Sequence, residues 1–285
     1  VKRGSSALFI GLVLANSACT ESAPTPVSLE LYARGRAVTS ALSDGTQLTL
    51  SRAELALGPV YLCAGPQAGQ NCQTALAEWR QARVVDVLGS GDQSLGTLEG
   101  YTGRALSYMH DCGIVSLLTQ EVPLVLPAAE ELGQRSLELE GRAELAQSGA
   151  PTIPFRIALA IASSADADRG QPVVRSSPGQ FDAEIGTETA KLTFSFDAGA
   201  WLTGLDQSAF WQDAACSADG PAVVCAGTVS QDCASETAVD CAESQQVCAP
   251  NQGCQDVITL DEETAAGRSV AQAITLAAGL EVHLD

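Results

Sequence analysis

The sequence predicts an all-β protein: an antiparallel β-sandwich with few short helices and a disulfide-rich loop insertion. Three observations predict it. Apolar and polar residues alternate at period two in segment after segment, as strands with one buried face do. Segments with helical spacing are few and short. Six cysteines crowd into residues 212–255, where apolar periodicity vanishes. With 285 residues, 46% of them hydrophobic, the chain is long enough for one large or two small cores.

The first element is an export signal. Lys2 and Arg3 precede an apolar run over residues 7–15, ALFIGLVLA. A spanning helix needs about 20 apolar residues, so this run fits the h-region of a secretory leader rather than an anchor. Small residues follow, then Cys19. Ser17-Ala18-Cys19 resembles the end of the lipobox of bacterial lipoprotein precursors, in which a peptidase cuts before a cysteine that is then lipidated. Asn16 departs from that motif, which usually has an apolar residue there. The resemblance implies lipidation at Cys19. Ordinary cleavage after Ala15-Asn16-Ser17 is the alternative and gives plain secretion. Residues 19–27 then read as a polar tether, since Pro24 and Pro26 exclude a helix or a central strand.

The body, residues 28–211, is read as strands. In VSLELYA, Val27, Leu29, Leu31 and Ala33 face one way. In LTLSRAELALGPVYL the phase changes: Leu48 and Leu50 are in one register, Ala53, Leu55 and Leu57 in the other. A bulge near Ser51-Arg52 reconciles them, and Pro59 ends the strand. TALAEWRQA, residues 74–82, is expected to be a short helix with Thr74 as N-cap. PAAEELGQ, residues 127–134, starts with Pro and ends near Gly as a brief linking helix does. In SLELEGRAEL, Leu137, Leu139, Ala143 and Leu145 share a face, with Gly141 at a natural bulge position. FRIALAI turns Phe155, Ile157, Leu159 and Ile161 inward, and KLTFSF turns Leu192, Phe194 and Phe196 inward. AGAWLTGLD, after Phe196, is expected to form one helical turn.

Residues 212–255 read as a disulfide-stapled insertion without a core of its own. Closing strands follow in residues 256–285, with ITLAAGLEVHL read as one strand from Ile274 to Leu284. SLELYARGRA resembles SLELEGRAEL, and a true repeat would give two β-units joined near residues 127–135. Chance among strands built from few residue types is the favoured account of the likeness.

Ten cysteines in an exported chain read as disulfides. Cys63 and Cys72 flank a polar Gly-rich turn and are natural partners. Cys216, Cys225, Cys233, Cys241, Cys248 and Cys254 allow 15 connectivities, among which the sequence does not choose. If Cys19 carries lipid, one cysteine is left over, and Cys112 is the expected one.

Charge excludes one class of partner. Acidic residues outnumber basic ones 34 to 15, a net charge of −19. Such a surface repels phosphate backbones, so nucleic acid is not a partner. It repels anionic head groups too, so membrane attachment should come from the lipid anchor. The chain carries no G-x-S-x-G, P-loop or dinucleotide fingerprint. Of its two histidines, His283 is placed on the solvated face of the last strand. His110, in LSYMHDCG, shares a strand face with Tyr108 and Cys112, while Met109 and Asp111 face the other way. His110, Cys112 and Met109 are therefore the candidate metal ligands, although a closed copper or zinc site needs three or four donors on one side.

The order of LTLSRAELALGPVYL, a Trp, ARVVDVL, LEGYTG, FRIALAIASS and KLTFSFDAGAWLTGLD resembles MbnP-type periplasmic copper-associated β-proteins. The likeness is one of pattern and covers about half the chain. It implies a sandwich and copper handling, with His110, Met109 or the tryptophans as suspects. The cysteine count here exceeds that family's usual complement.

The expectation is thus a non-catalytic, exported cell-envelope lipoprotein without a cofactor. It sits in the outer membrane or periplasm, and its partner is an unknown envelope protein or small ligand. The alternatives are a periplasmic copper or zinc carrier and, third, a secreted enzyme.

Overall fold

The computed structural model describes residues 23–65, 72, 75–115, 122–144, 152–161, 179–205, 208–211, 216–219, 222–225, 240–241, 246–249 and 253–285, with backbone alone for residues 179, 180, 208 and 211 and for those within 216–256. The leader, Cys19 and Cys233 lie outside the described residues.

In chain order the first strands are β1 Pro26–Arg34, β2 Thr39–Ala41, β3 Gln47–Leu57, β4 Val60–Cys63, β5 Ala75–Trp79 and β6 Arg83–Asp86. Then come β7 Gln93–Tyr101, β8 Gly103–His110, β9 Ile114–Val115, β10 Leu124–Val125 and helix α1 Pro127–Glu131. After these run β11 Leu137–Glu144, β12 Thr152–Leu159, β13 Gly179–Ile185, β14 Lys191–Phe196, α2 Ala198–Leu202 and α3 Ser208–Trp211. The cysteine-dense stretch holds β15 Cys216–Asp219, β16 Ala222–Cys225, β17 Asp240–Cys241, β18 Gln246–Ala249 and β19 Gly253–Asp256. The chain closes with β20 Ile258–Leu260, α4 Ala265–Thr275 and β21 Leu280–Leu284.

Two sheets pack face to face as a sandwich. One runs β13-β8-β4-β5-β7-β1-β14-β21, the other β2-β3-β11-β12-β20 with β6 paired to β3. Most pairings are antiparallel, as expected, but β1–β14 and β12–β20 are parallel. A period-two pattern fixes which face of a strand is buried, not the direction of its neighbour. The core between the sheets holds Leu29, Leu31, Leu62, Leu98 and Phe194 from one side and Leu48, Leu55, Leu139, Phe155 and Ile157 from the other. On the outer face of the second sheet, Ala128, Ala129 and Leu132 around α1 cover Ala56 and Ile114 in a smaller cluster.

The phase change in β3 has the expected cause. Arg52 stands opposite Glu140 and Leu50 opposite Gly141, so Ser51 is the extra residue of a bulge. Gly141 meets its neighbours closely: a Cβ there would lie 2.5 Å from the Thr49 carbonyl oxygen and 2.8 Å from Phe155 Cζ. Pro59 follows β3 at a cis Gly58–Pro59 bond.

Two local expectations are corrected. Residues 75–79 are not helical but form β5 in the middle of the larger sheet, with Val60 opposite Trp79 and Ala77 opposite Gly100. Ala77 and Trp79 alternate inward, and burying an indole in the core outweighs the weak helical spacing of Leu76 and Trp79. Ile274 begins no strand. It lies near the end of α4, where Gly267, Val270 and Ile274 form the buried stripe. The Thr264 hydroxyl accepts from the Gly267 amide at 2.9 Å and caps the helix. Ala277 and Gly279, both at positive φ, then turn the chain into β21. The helices foreseen at Pro127 and after Phe196 are present as α1 and α2, the latter capped by the Asp197 carboxylate.

Candidate functional site

The larger sheet brings the sequence-singled residues to two different sides. In β4–β8 register, Val60 faces His110, Tyr61 faces Met109 and Leu62 faces Tyr108. Alternation sends His110 and Tyr108 into the core and Met109 to the opposite face with Tyr61. The His110 ring lies 6.0 Å from Phe194, edge to face, and 6.5 Å from Tyr108, nearly parallel. It is 1% exposed, and its Nδ1 has no hydrogen-bond partner among the described residues. Burial pushes its pKa down to about 4, so the ring is neutral at neutral pH. Cys112 is fully buried beside this cluster.

These donors do not assemble into a copper or zinc site within the described part of the chain. Met109 is on the wrong face, and no three His, Cys, Asp or Glu side chains come together among the described residues. His283 sits on β21, half exposed, with Nε2 3.5 Å from Glu281.

Cys63 and Cys72 form the expected disulfide, with Cα atoms 5.5 Å apart. In the cysteine-dense stretch, backbone register sets Cys216 opposite Cys225, Cys248 opposite Cys254 and Cys241 opposite Gln246.

The outer face of the second sheet carries a charge network around Glu138, which is only 4% exposed. Arg156 pairs with one oxygen of its carboxylate, and Arg52 Nη2 lies 3.4 Å from the other. Arg52 also reaches Glu54 at 2.6 Å and Glu140 at 3.3 Å. Three carboxylates and two guanidinia thus alternate across β3, β11 and β12, a partly buried lattice that holds register rather than a site open to a ligand.

Among the described residues, an open concavity lies on the outer face of the first sheet. Strands β5, β7 and β1 are consecutive there, and a groove of about 580 Å³ crosses them. Register places Ser28 opposite Glu99 and Glu99 opposite Glu78. The Ser28 hydroxyl donates to Glu99 Oε2 at 2.5 Å, and Arg80 Nε lies 3.5 Å from Glu78. Tyr101 stands at one end, 52% exposed, opposite Pro26. The sequence reading missed this set. Its signal was the outward half of the same alternation, Thr97, Glu99 and Tyr101 on β7. Nothing in the sequence says which strands lie side by side, so the row could not be assembled.

No family model matches the chain, and no curated protein does. A solved structure, MbnP from Methylosinus trichosporium, aligns with 63% of this chain and 78% of its own at 12% sequence identity and a TM-score of 0.30. Likeness at that level carries no argument about function. Among the described residues no helix is long and apolar enough to cross a membrane.

Proposed function

We propose that the chain is an exported cell-envelope protein, lipid-anchored through Cys19, that works by binding a ligand or partner without turning it over. One contrast carries this reading. A groove open to solvent presents polar side chains beside Tyr101 across three neighbouring strands, whereas His110, singled out from the sequence, is buried against Tyr108 and Phe194. A general base must reach a substrate proton within hydrogen-bond distance, and a ring buried between aromatic neighbours does not. The Cys63–Cys72 disulfide supports export, because thiols oxidise and persist as bridges outside the cytosol.

Cell fractionation with mass spectrometry of the mature N-terminus tests the address. The expected species begins at Cys19 and carries a diacylglycerol thioether. Recovery of the chain in the cytosol with residues 1–18 attached overturns the reading. The competing proposal of a copper or zinc carrier is separated by metal analysis of the oxidised, purified protein. Tight binding of about one copper per chain would establish the carrier instead.

A further inference from the structure

We propose that the groove across β5, β7 and β1 is a binding site for a neutral saccharide. This inference rests on the reading of the chain as an envelope binding protein and names the chemical class of its ligand.

Three features point the same way. First, the floor belongs to consecutive strands inside an eight-stranded sheet. Their backbone groups are committed to neighbours on both sides, so recognition falls to side chains held on a rigid face. At about 580 Å³ the groove has the size of a small-molecule site. Second, its polar groups are of both kinds and lie close together. Glu78 and Glu99, directly opposite each other, are acceptors only. Arg80 donates only, while Ser28 and Gln81 do both. Third, Tyr101 is an exposed aromatic with a ring still open to solvent. Of the other outward aromatics nearby, Tyr61, opposite Glu78, is half-buried, and Tyr32 is capped by the Lys191 ammonium 4.5 Å from its ring centre and donates its hydroxyl to Glu30.

Charge then selects among ligands. A small anion would face two carboxylates within a chain of net charge −19. A small cation would be drawn to those carboxylates, of which Arg80 offsets only one, so it is the competing ligand class that the cationic control tests. A neutral polyol is the ligand that uses the acceptors and the donor together. Its hydroxyls donate to the Glu78 and Glu99 carboxylates and accept from Arg80, charge-assisted hydrogen bonds stronger than neutral ones. The C–H face of a pyranose ring is apolar and packs on the Tyr101 ring, whose hydroxyl stays in water.

The test uses the purified full chain in isothermal titration and ligand-observed NMR. The neutral probes are cellotriose, maltotriose and chitotriose; citrate and 1,5-diaminopentane are charged controls. At least one trisaccharide should bind, with little change between low and high salt. Tyr101→Ala and Glu99→Gln should each weaken that binding at least about tenfold. Both residues are on the surface, so thermal unfolding should show the variants folded, with Glu78→Gln as a further variant.

Three results overturn the proposal: no trisaccharide binding, trisaccharide binding that survives both substitutions, or salt-sensitive binding of a charged control alone. None of these bears on where the chain resides. Conversely, a cytosolic address would sink the envelope reading while leaving the binding curves as they are.

Discussion

Replacing His110 by phenylalanine should remove a specific acid sensitivity. The ring is buried against Tyr108 and Phe194, and burial lowers its pKa from 6.5 to about 4. In the unfolded chain the imidazole takes up its proton near the ordinary value. Between those two pH values the unfolded state therefore holds more protons than the folded one, and stability rises with pH. The His110 contribution is fully present above about pH 7 and is lost as acid is added. The depressed pKa corresponds to about 3 kcal/mol once the pH is below both values.

At about pH 5, clear of the isoelectric point near 4.3, integration of the two titrations gives a loss of about 2 kcal/mol. The assay is urea unfolding of the wild-type chain and His110→Phe at about pH 7.5, 6 and 5. Surface carboxylates titrate alike in both proteins, so the difference between them isolates the histidine. The phenylalanine ring keeps contact with Tyr108 and Phe194 and removes the unpartnered Nδ1. The variant should gain on the wild type by about 2 kcal/mol between the ends of that range. A difference that stays flat within about 0.5 kcal/mol would show that His110 is solvated or charged in the fold, and the burial argument would fail.

Glu138→Gln should destabilise by about 2 kcal/mol in urea unfolding at neutral pH, less than for a fully buried pair because Arg52 and Arg156 are partly solvated. A loss no greater than that of Glu140→Gln would refute the central place of Glu138. Gly141→Ala should cost about 1 to 3 kcal/mol, since a Cβ at 2.5 Å from the Thr49 carbonyl forces the bulge apart; an unchanged thermal midpoint counts against the close approach. Replacing Cys63 and Cys72 together by serine opens a loop with a sequence separation of 9. It should cost about 2 to 3 kcal/mol, measured against the oxidised wild type, and equal stability of the two would contradict the bridge.

Inward and outward faces were legible because each strand writes its own burial into its sequence. Leu29, Leu31 and Ala33 are buried as their spacing says. Even the Ser51 bulge could be read from the slip between Leu50 and Ala53. Short segments with ambiguous spacing were not legible. Residues 75–79 became a strand because β4 and β7 left a place between them for Trp79, and Ile274 became helical behind the Thr264 cap. The candidate groove was legible only in parts: Glu99 and Tyr101 could be placed on an outward face, but Ser28 and Glu78 could not be brought beside them.

By itself the sequence determined the class of fold, the buried face of most strands, the Cys63–Cys72 pairing and a strongly acidic character. All of these depend on neighbours close in the chain or on totals over it. Only the tertiary structure decided strand order, the parallel β1–β14 and β12–β20 pairings, the sealing of His110 and the row from Ser28 to Glu78. These depend on which distant segments share hydrogen bonds. A period-two pattern says that a strand has a face to bury, but it is silent about the strand that lies alongside.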